Sequence, residues 1–294
     1  MIMTHKAGFV NIIGNPNAGK STLMNALLGQ KLSIITHKAQ TTRHRIMGLA
    51  NSEDYQVVFS DTPGVLKPGY KLQEYMMRAV KSSLDDADLF IILSEIGKDF
   101  DHEGILKQIQ ATGTPTMLLI NKIDLSSQQV VADKCQQWKD RYPTFMVLPI
   151  SALEKFNLDQ VFNKILELLP ESPPYFPKDD LTDKPVRFFI SEIVREKILM
   201  NYQKEIPYAV DVVVESFKEE KNLTSIRCII YVARETQKGI IIGHQGSALK
   251  KVGAQARKEI EEFIDQKVFL ELHVKVNKNW RDNDLQLRRL GYND

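Results

Sequence analysis

Three short runs of residues carry side chains and backbone suited to a common chemistry. Gly14-Asn15-Pro16-Asn17-Ala18-Gly19-Lys20-Ser21 fits the spacing G-x-x-x-x-G-K-[ST]. In that pattern backbone N–H groups close around phosphates, a lysine neutralises them and a hydroxyl reaches magnesium. Asn15, Asn17, Ala18, Gly19, Lys20, Ser21 and Thr22 are therefore expected to line a triphosphate. A chance glycine turn would have to reproduce the whole pattern after a strand. Asp61-Thr62-Pro63-Gly64 is a turn sequence when taken alone. Beside a phosphate loop, Asp61 gains a role in holding magnesium and Gly64 one in offering its N–H to the γ-phosphate. Asn121-Lys122-Ile123-Asp124 identifies the base. The two oxygens of Asp124 can accept guanine's N1–H and exocyclic amine together, whereas adenine would leave them unpaired. Asn121 and Lys122 would brace that loop and cover the ring, and Ser151-Ala152 would donate backbone amides to the guanine carbonyl. As a dipeptide, Ser151-Ala152 is supported by its position alone.

Between the first helix and the next expected strand runs Lys38-Ala39-Gln40-Thr41-Thr42-Arg43-His44-Arg45, polar and basic. It reads as a switch loop, in which Thr42 reaches magnesium while the γ-phosphate is present and lets go after hydrolysis. An ordinary solvated connection is the plain alternative for Arg43, His44 and Arg45.

These runs need strands that end where they begin. Phe9 to Ile13, Tyr55 to Ser60, Leu89 to Leu93, Thr116 to Ile120 and Phe145 to Ile150 are apolar runs separated by helix-patterned stretches. That alternation predicts a doubly wound α/β domain with a mixed, mostly parallel sheet, which binds ligands beyond the carboxyl ends of its strands. The helical pattern of Val161, Ile165, Leu168 and Leu169 ends at Pro170, and prolines crowd the segment that follows, so residues 1–172 form the expected first domain and 173–185 a stiff linker. Residues 186–294 read helix, strand, strand, helix, strand, a smaller α+β domain. Before its second helix lies Gly243-His244-Gln245-Gly246. A G-x-x-G is by default a turn into a helix. Here Lys238, Lys250 and Lys251 flank it and the run Ile240 to Ile242 precedes it, offering charge and an apolar platform. In this setting the segment resembles the loop with which KH domains clamp single-stranded RNA, and Lys238, Ile242, Gly243, His244, Gln245, Gly246, Lys250 and Lys251 are the expected RNA contacts. A solvated helix face is the plain alternative for Lys250 and Lys251. Trp280 and the leucines after it should dock the tail on this domain, with its arginines as further candidates for RNA.

The net charge of +2 announces no polyanionic partner, so any basic surface must be local. Cys135 and Cys228 lack the spacing of a zinc site or a disulfide framework. No run matches a signal peptide or a membrane span, and a cytoplasmic protein is expected.

The phosphate loop, the Thr-Thr-Arg segment, Asp-Thr-Pro-Gly and Asn-Lys-Ile-Asp together resemble the Era family of bacterial GTPases, and the likeness runs through the whole chain. The resemblance implies a P-loop GTPase domain followed by a type II KH domain, with GTP or GDP and Mg2+ as ligands. It also implies binding near the 3′ end of small-subunit ribosomal RNA, a role in small ribosomal subunit assembly, and for some members peripheral association with the inner membrane. Metal contacts would come from Ser21, Thr42 and Asp61, and catalysis from Asn17, Lys20, Thr42 and Gly64. Val65 stands where Ras-like proteins have a water-orienting glutamine. Hydrolysis should therefore be slow, and relatives of this kind use K+ held at the position of Asn17. An RNA-binding protein that keeps GTP only as a structural or regulatory ligand is the alternative. A GTPase of transfer-RNA modification or large-subunit assembly fits less well with one N-terminal nucleotide domain and a G-x-x-G domain.

Overall fold

The computed structural model describes residues 5–292. Residues 1–4 of the N-terminal stretch and 293–294 of the tail lie outside the described residues. The chain divides into two compact units, one formed by the segments up to Ser33, Thr42–Lys67 and Met76–Asp183, the other by Ile34–Thr41, Pro68–Tyr75 and everything from Lys184 on.

The first unit contains strands β1 (Lys6–Gly14), β2 (Ile46–Asn51), β3 (Tyr55–Asp61), β4 (Leu89–Glu95), β5 (Thr116–Asn121) and β6 (Met146–Pro149). Between them run helices α1 (Lys20–Leu28), α2 (Lys71–Ser82), α3 (Glu103–Thr112), α4 (Gln128–Arg141) and α5 (Leu158–Leu168); α2 begins in the segment assigned to the second unit. The sheet order is β2-β3-β1-β4-β5-β6. Every pairing is parallel except β2 with β3. The central strands are buried along nearly their whole length, as parallel strands covered on both faces must be. The expected mixed, doubly wound sheet is therefore present. Strand β2 was not among the expected strands: Ile-Met-Gly-Leu-Ala-Asn has neither alternation nor β-branched density, and a Cβ at Gly48 would push the end of the Leu28 side chain aside.

The proline-rich segment is not a free spacer. It lies along the β2 and β3 edge of the first unit, bridging Glu171 to Lys6 and Thr182 to Gly48. The Leu49 N–H donates to Leu181 O at 2.9 Å. Gln56, fully buried, accepts from the N–H groups of Tyr175 (2.7 Å) and Phe176 (2.9 Å) and donates to Phe176 O (2.8 Å). Prolines lack an N–H, so one buried side-chain amide serves the neighbouring backbone groups that no ladder reaches.

The second unit contains α6 (Val186–Asn201), α7 (Ile206–Ala209), β7 (Val210–Glu219), β8 (Thr224–Val232), α8 (Glu235–Ile242), α9 (Ser247–Ile264), β9 (Val268–Val276) and α10 (Asp284–Arg289). Its sheet has the order β7-β8-β9, antiparallel then parallel. Ile190, Val194 and Ile198 of α6 join Val252, Ala256 and Ile260 of α9 and the inward strand residues in one core. Helix α8 was not expected: the run Ile240 to Ile242 is its last turn rather than an open platform, with Ile241 fully buried and Ile240 exposed. The tail docks as expected, through buried Trp280, Leu287 and Tyr292. Arg281 is taken up structurally, donating to Tyr208 O at 3.2 Å and stacking 5.0 Å from the Tyr70 ring centre.

Replacing Gln56 by leucine strands the Tyr175 and Phe176 backbone groups. It should lower unfolding free energy by about 2–3 kcal/mol and expose residues 171–183 to limited proteolysis, both measurable against the wild-type urea transition.

Candidate functional site

The nucleotide motifs of the first unit sit at the carboxyl ends of its central strands. Strand β1 ends at Gly14 and α1 begins at Lys20, so the phosphate loop is the turn between them. Asn17 and Gly19 adopt positive φ, 65° and 99°, which aims successive loop N–H groups inward. A side chain at Gly19 would strike the Asn121 amide, and one at Gly64 would lie 2.6 Å from Pro16 backbone atoms, so both glycines are demanded by close approach.

Lys20 is buried and donates to Gly14 O (3.2 Å) and Asn15 O (2.9 Å). Burial holds its ammonium pKa down to about 8, with Asp61 pulling the other way. Asp61, fully buried, is shifted up by burial against the opposing pull of Lys20 and of its hydroxyl donors. The Ser21 hydroxyl donates to Asp61 Oδ2 at 2.7 Å and lies 2.9 Å from Thr42 Oγ1, which donates to the same oxygen at 3.3 Å. Among the described residues, Asp61 Oδ1 is buried without a hydrogen-bond partner. Two hydroxyls and a carboxylate with an orphaned oxygen form a hard, all-oxygen donor set, which fits Mg2+ completed by water and phosphate. Thr42 is thus brought together with Ser21 and Asp61. The solvated-connection alternative does not describe its neighbours: Arg43 is buried, and Arg45 pairs with Asp86 (2.7 Å) and donates to Ser60 Oγ (2.6 Å).

At the base end, Asn121 is the brace. Its Nδ2 donates to Ala18 O (2.8 Å) and its Oδ1 accepts from the Ala152 N–H (2.9 Å), tying the phosphate loop to the loop after β6. Without a ligand, the dipeptide Ser151-Ala152 makes its contacts within the protein. The Ala152 amide already serves Asn121 and the Ser151 amide serves Phe156 O (3.3 Å), while the Ser151 hydroxyl donates to Asp124 Oδ1 at 2.6 Å. Asp124 itself is exposed, as a residue reaching for a ligand should be. Lys122 follows β5 in a left-handed conformation and forms an ion pair with Glu95 at the end of β4.

Glu95, Asp99 and His102 were not anticipated. Asn15 Nδ2 donates to Asp99 O (2.8 Å) and its Oδ1 lies 3.1 Å from His102 Nε2, fastening the phosphate loop to the β4–α3 connection. Their signal was the position of this connection after a central strand. Val65 is buried among Ile13, Val80 and Phe90, and its N–H donates to Gly14 O at 3.1 Å. Its side chain belongs to the core and orients no water.

In the second unit, Gly243 (φ 70°, ψ 179°) and Gly246 (φ 75°, ψ 10°) form the turn from α8 into α9. The Gly243 conformation is open essentially to glycine alone, and a Cβ there would meet Ala248 at 2.6 Å. Gly246 faces open space. His244, Gln245, Lys250 and Lys251 are exposed, while Lys238 and Ile242 are half-buried. A helix N-terminus with exposed lysines behind it is a site for phosphate backbone.

Fold and site together define a P-loop nucleotide-binding domain followed by a KH domain. Residues 9–122 match the family described as "50S ribosome-binding GTPase" and residues 205–281 match "KH domain". GTPase Era of Geotalea daltonii is 45% identical over 97% of this chain and 97% of its own. GTPase Era of Alkaliphilus metalliredigens is 43% identical over 99% and 100%. A crystal structure of Era in complex with MgGDPNP and nucleotides 1506–1542 of 16S ribosomal RNA superposes with TM-score 0.94 at 39% identity, covering 98% of this chain and 99% of that one. Aquifex aeolicus Era bound to GDP and AlF4− superposes equally well, with TM-score 0.94. The chain belongs to the Era family of GTPases.

The lowered Lys20 pKa sets a pH dependence. Phosphate favours the ammonium, so its pKa rises on binding. Below about 8 the free protein already carries that proton. Above it, GDP binding must take one up, and affinity should fall as pH rises. Calorimetry in buffers of different ionisation enthalpy reads the uptake directly; binding without proton uptake above that pH would contradict the assignment.

Proposed function

We infer that this chain is a GTP-hydrolysing switch that binds small-subunit ribosomal RNA near its 3′ end and assists small ribosomal subunit assembly. The observation that carries the switch is the convergence of Thr42, Ser21 and the half-satisfied Asp61 carboxylate on one point beside Lys20. A threonine whose hydroxyl is held by the Ser21 hydroxyl and, at 3.3 Å, by the Asp61 carboxylate can exchange those contacts for metal and regain them on release. The RNA reading is supported by the G-x-x-G turn at the start of α9 and by the whole-length likeness to an Era structure containing 16S RNA. The words "50S ribosome-binding" describe a family matched over residues 9–122 alone, whereas the likeness to that RNA complex spans both units.

The residue roles below complete this reading. Gly14 to Thr22 cradle the phosphates, Lys20 neutralises them, and the Gly64 N–H faces the γ-phosphate. Ser21, Thr42 and Asp61 would hold Mg2+, which would supply charge neutralisation to the phosphates. Asp124 reads guanine, with its carboxylate fixed by Ser151. Since Val65 lies in the core, attacking water must be oriented by backbone near Gly64 and Thr42, and turnover is slow. Asn17, exposed and oxygen-bearing, would be the residue to hold K+, which would add positive charge beside the phosphates. Domains at 1–172 and 186–294 with the 173–185 segment between them give nucleotide and RNA binding their separate supports. No helix among the described residues is long and apolar enough to cross a membrane. The protein works in the cytoplasm, with peripheral contact to the inner membrane as in some relatives.

Single-turnover hydrolysis, with and without RNA of the small-subunit 3′ end, tests the enzyme reading. Bound GTP should decay slowly in potassium and more slowly in sodium, with the difference gone in Asn17→Ala. GTP that persists unhydrolysed with RNA and potassium present would leave a structural ligand instead. For RNA, Gly246→Asp is the milder probe: its left-handed backbone (φ 75°) is one that aspartate tolerates at some cost, whereas Gly243→Asp would also drive a Cβ against Ala248. It should weaken RNA binding about tenfold or more without changing GDP affinity, and unchanged RNA affinity would remove the clamp.

A further inference from the structure

The ion pair between Glu95 and Lys122 joins a residue outside the motifs that define the site to one inside the Asn121-Lys122-Ile123-Asp124 run. Glu95 is the last residue of β4 and is paired in register with Asn121, the last residue of β5. The Ile96 N–H donates to Asn121 O at 3.0 Å, so the two strand ends are locked together just where the base-reading loop departs. Lys122 is the first residue of that loop, with φ 65°, and its ammonium is held by Glu95 Oε2. The Glu95 side chain is only 16% exposed and that of Lys122 33%, so the pair is partly shielded.

Lysine has a flexible four-carbon stem that samples many rotamers when unrestrained. Two residues along the same loop stands Asp124, whose carboxylate must remain an acceptor for the base. An untethered Lys122 ammonium beside it has an obvious alternative partner in Asp124, and that pairing would compete with guanine's two donors. Asp124 instead has the Ser151 hydroxyl on Oδ1. We propose that Glu95 is a positioning residue for guanine recognition. It anchors the Lys122 ammonium at the end of β4, lays the lysine stem along the base site and keeps the Asp124 carboxylate free for guanine. The proposal rests on the reading of Lys122 and Asp124 as base-binding residues.

The test is a double-mutant cycle on the full chain, read as the dissociation rate of a fluorescent GDP analogue. Glu95→Gln, which keeps shape and removes charge, should speed release about five- to tenfold, and Glu95→Ala should do at least as much. In single turnover at saturating GTP both variants should hydrolyse at the wild-type rate, giving a change in KM without one in kcat. In a Lys122→Ala background the Glu95→Gln effect should vanish, because no ammonium remains to be placed. A merely structural role for Glu95 predicts the same effect in both backgrounds, and that result overturns the proposal. Weakened GDP binding in Asp124→Asn with none in Glu95→Gln also overturns it while leaving the base reader in place. No weakening in Asp124→Asn overturns both.

Discussion

Lys20 and Asp61 are buried at the carboxyl ends of neighbouring strands, and each is held away from its ordinary titration range by loss of water. Neither is satisfied by the other. Lys20 donates to two carbonyls, and Asp61 keeps one oxygen with no partner among the described residues. A fold that removes opposite charges from solvent without joining them stores a demand for ligands that will complete both: an anion for the lysine and a cation for the carboxylate. A magnesium-bound phosphate chain meets both demands at once, which accounts for the buried lysine better than stability does. The surrounding architecture serves to hold those two groups in place. Strand β1 delivers the phosphate loop, β3 delivers Asp61, and their parallel register sets Ile12 beside Asp61.

The base end is organised by hydrogen bonds rather than by charge burial. One amide, Asn121, spans from Ala18 to Ala152, so the loop that holds phosphate and the loop that flanks the base move as one piece. Asn15 extends the same logic to Asp99 and His102. Asn121 and Asn15 thus fix the loops around the base and phosphate motifs before any ligand arrives. This is preorganisation: the entropy of ordering these loops is met by folding and not again at binding.

Much of this was legible in the sequence, for physical reasons that differ by residue. Lys20, Asp61 and Asp124 announce themselves because phosphate and guanine chemistry permits few residue types at fixed spacing after strands. The parallel strands were visible as continuous apolar runs. Strand β2 was hidden because an edge strand containing Gly48 has no pattern of its own and is defined by its partners. Helix α8 was hidden because Glu-Thr-Gln-Lys-Gly-Ile-Ile-Ile combines glycine with β-branched residues, against helix propensity, and is fixed by burying Gln237 and Ile241. The proline-rich segment read as a stiff connection because composition reports stiffness but not docking; what docks it is the buried Gln56 amide together with backbone bonds such as Leu49 N–H to Leu181 O. Glu95 and His102 lay in a connection with no motif, and only three-dimensional proximity gives them meaning.

Val65 separates two properties that the phosphate loop alone would merge. Tight binding needs the phosphate, metal and base contacts, and these are prearranged. Fast hydrolysis needs a group that holds water in line with the γ-phosphate, and the residue after Gly64 is instead committed to the core with Ile13 and Phe90. Exchanging Val65 for a polar residue would leave a buried polar group among apolar neighbours, at a cost of roughly 1–3 kcal/mol. The core thus opposes the simplest route to a faster enzyme. A state that persists because its decay is slow suits a switch whose partner must first be captured, since the lifetime of the GTP form is then set by what the partner does to Thr42 and the phosphate loop.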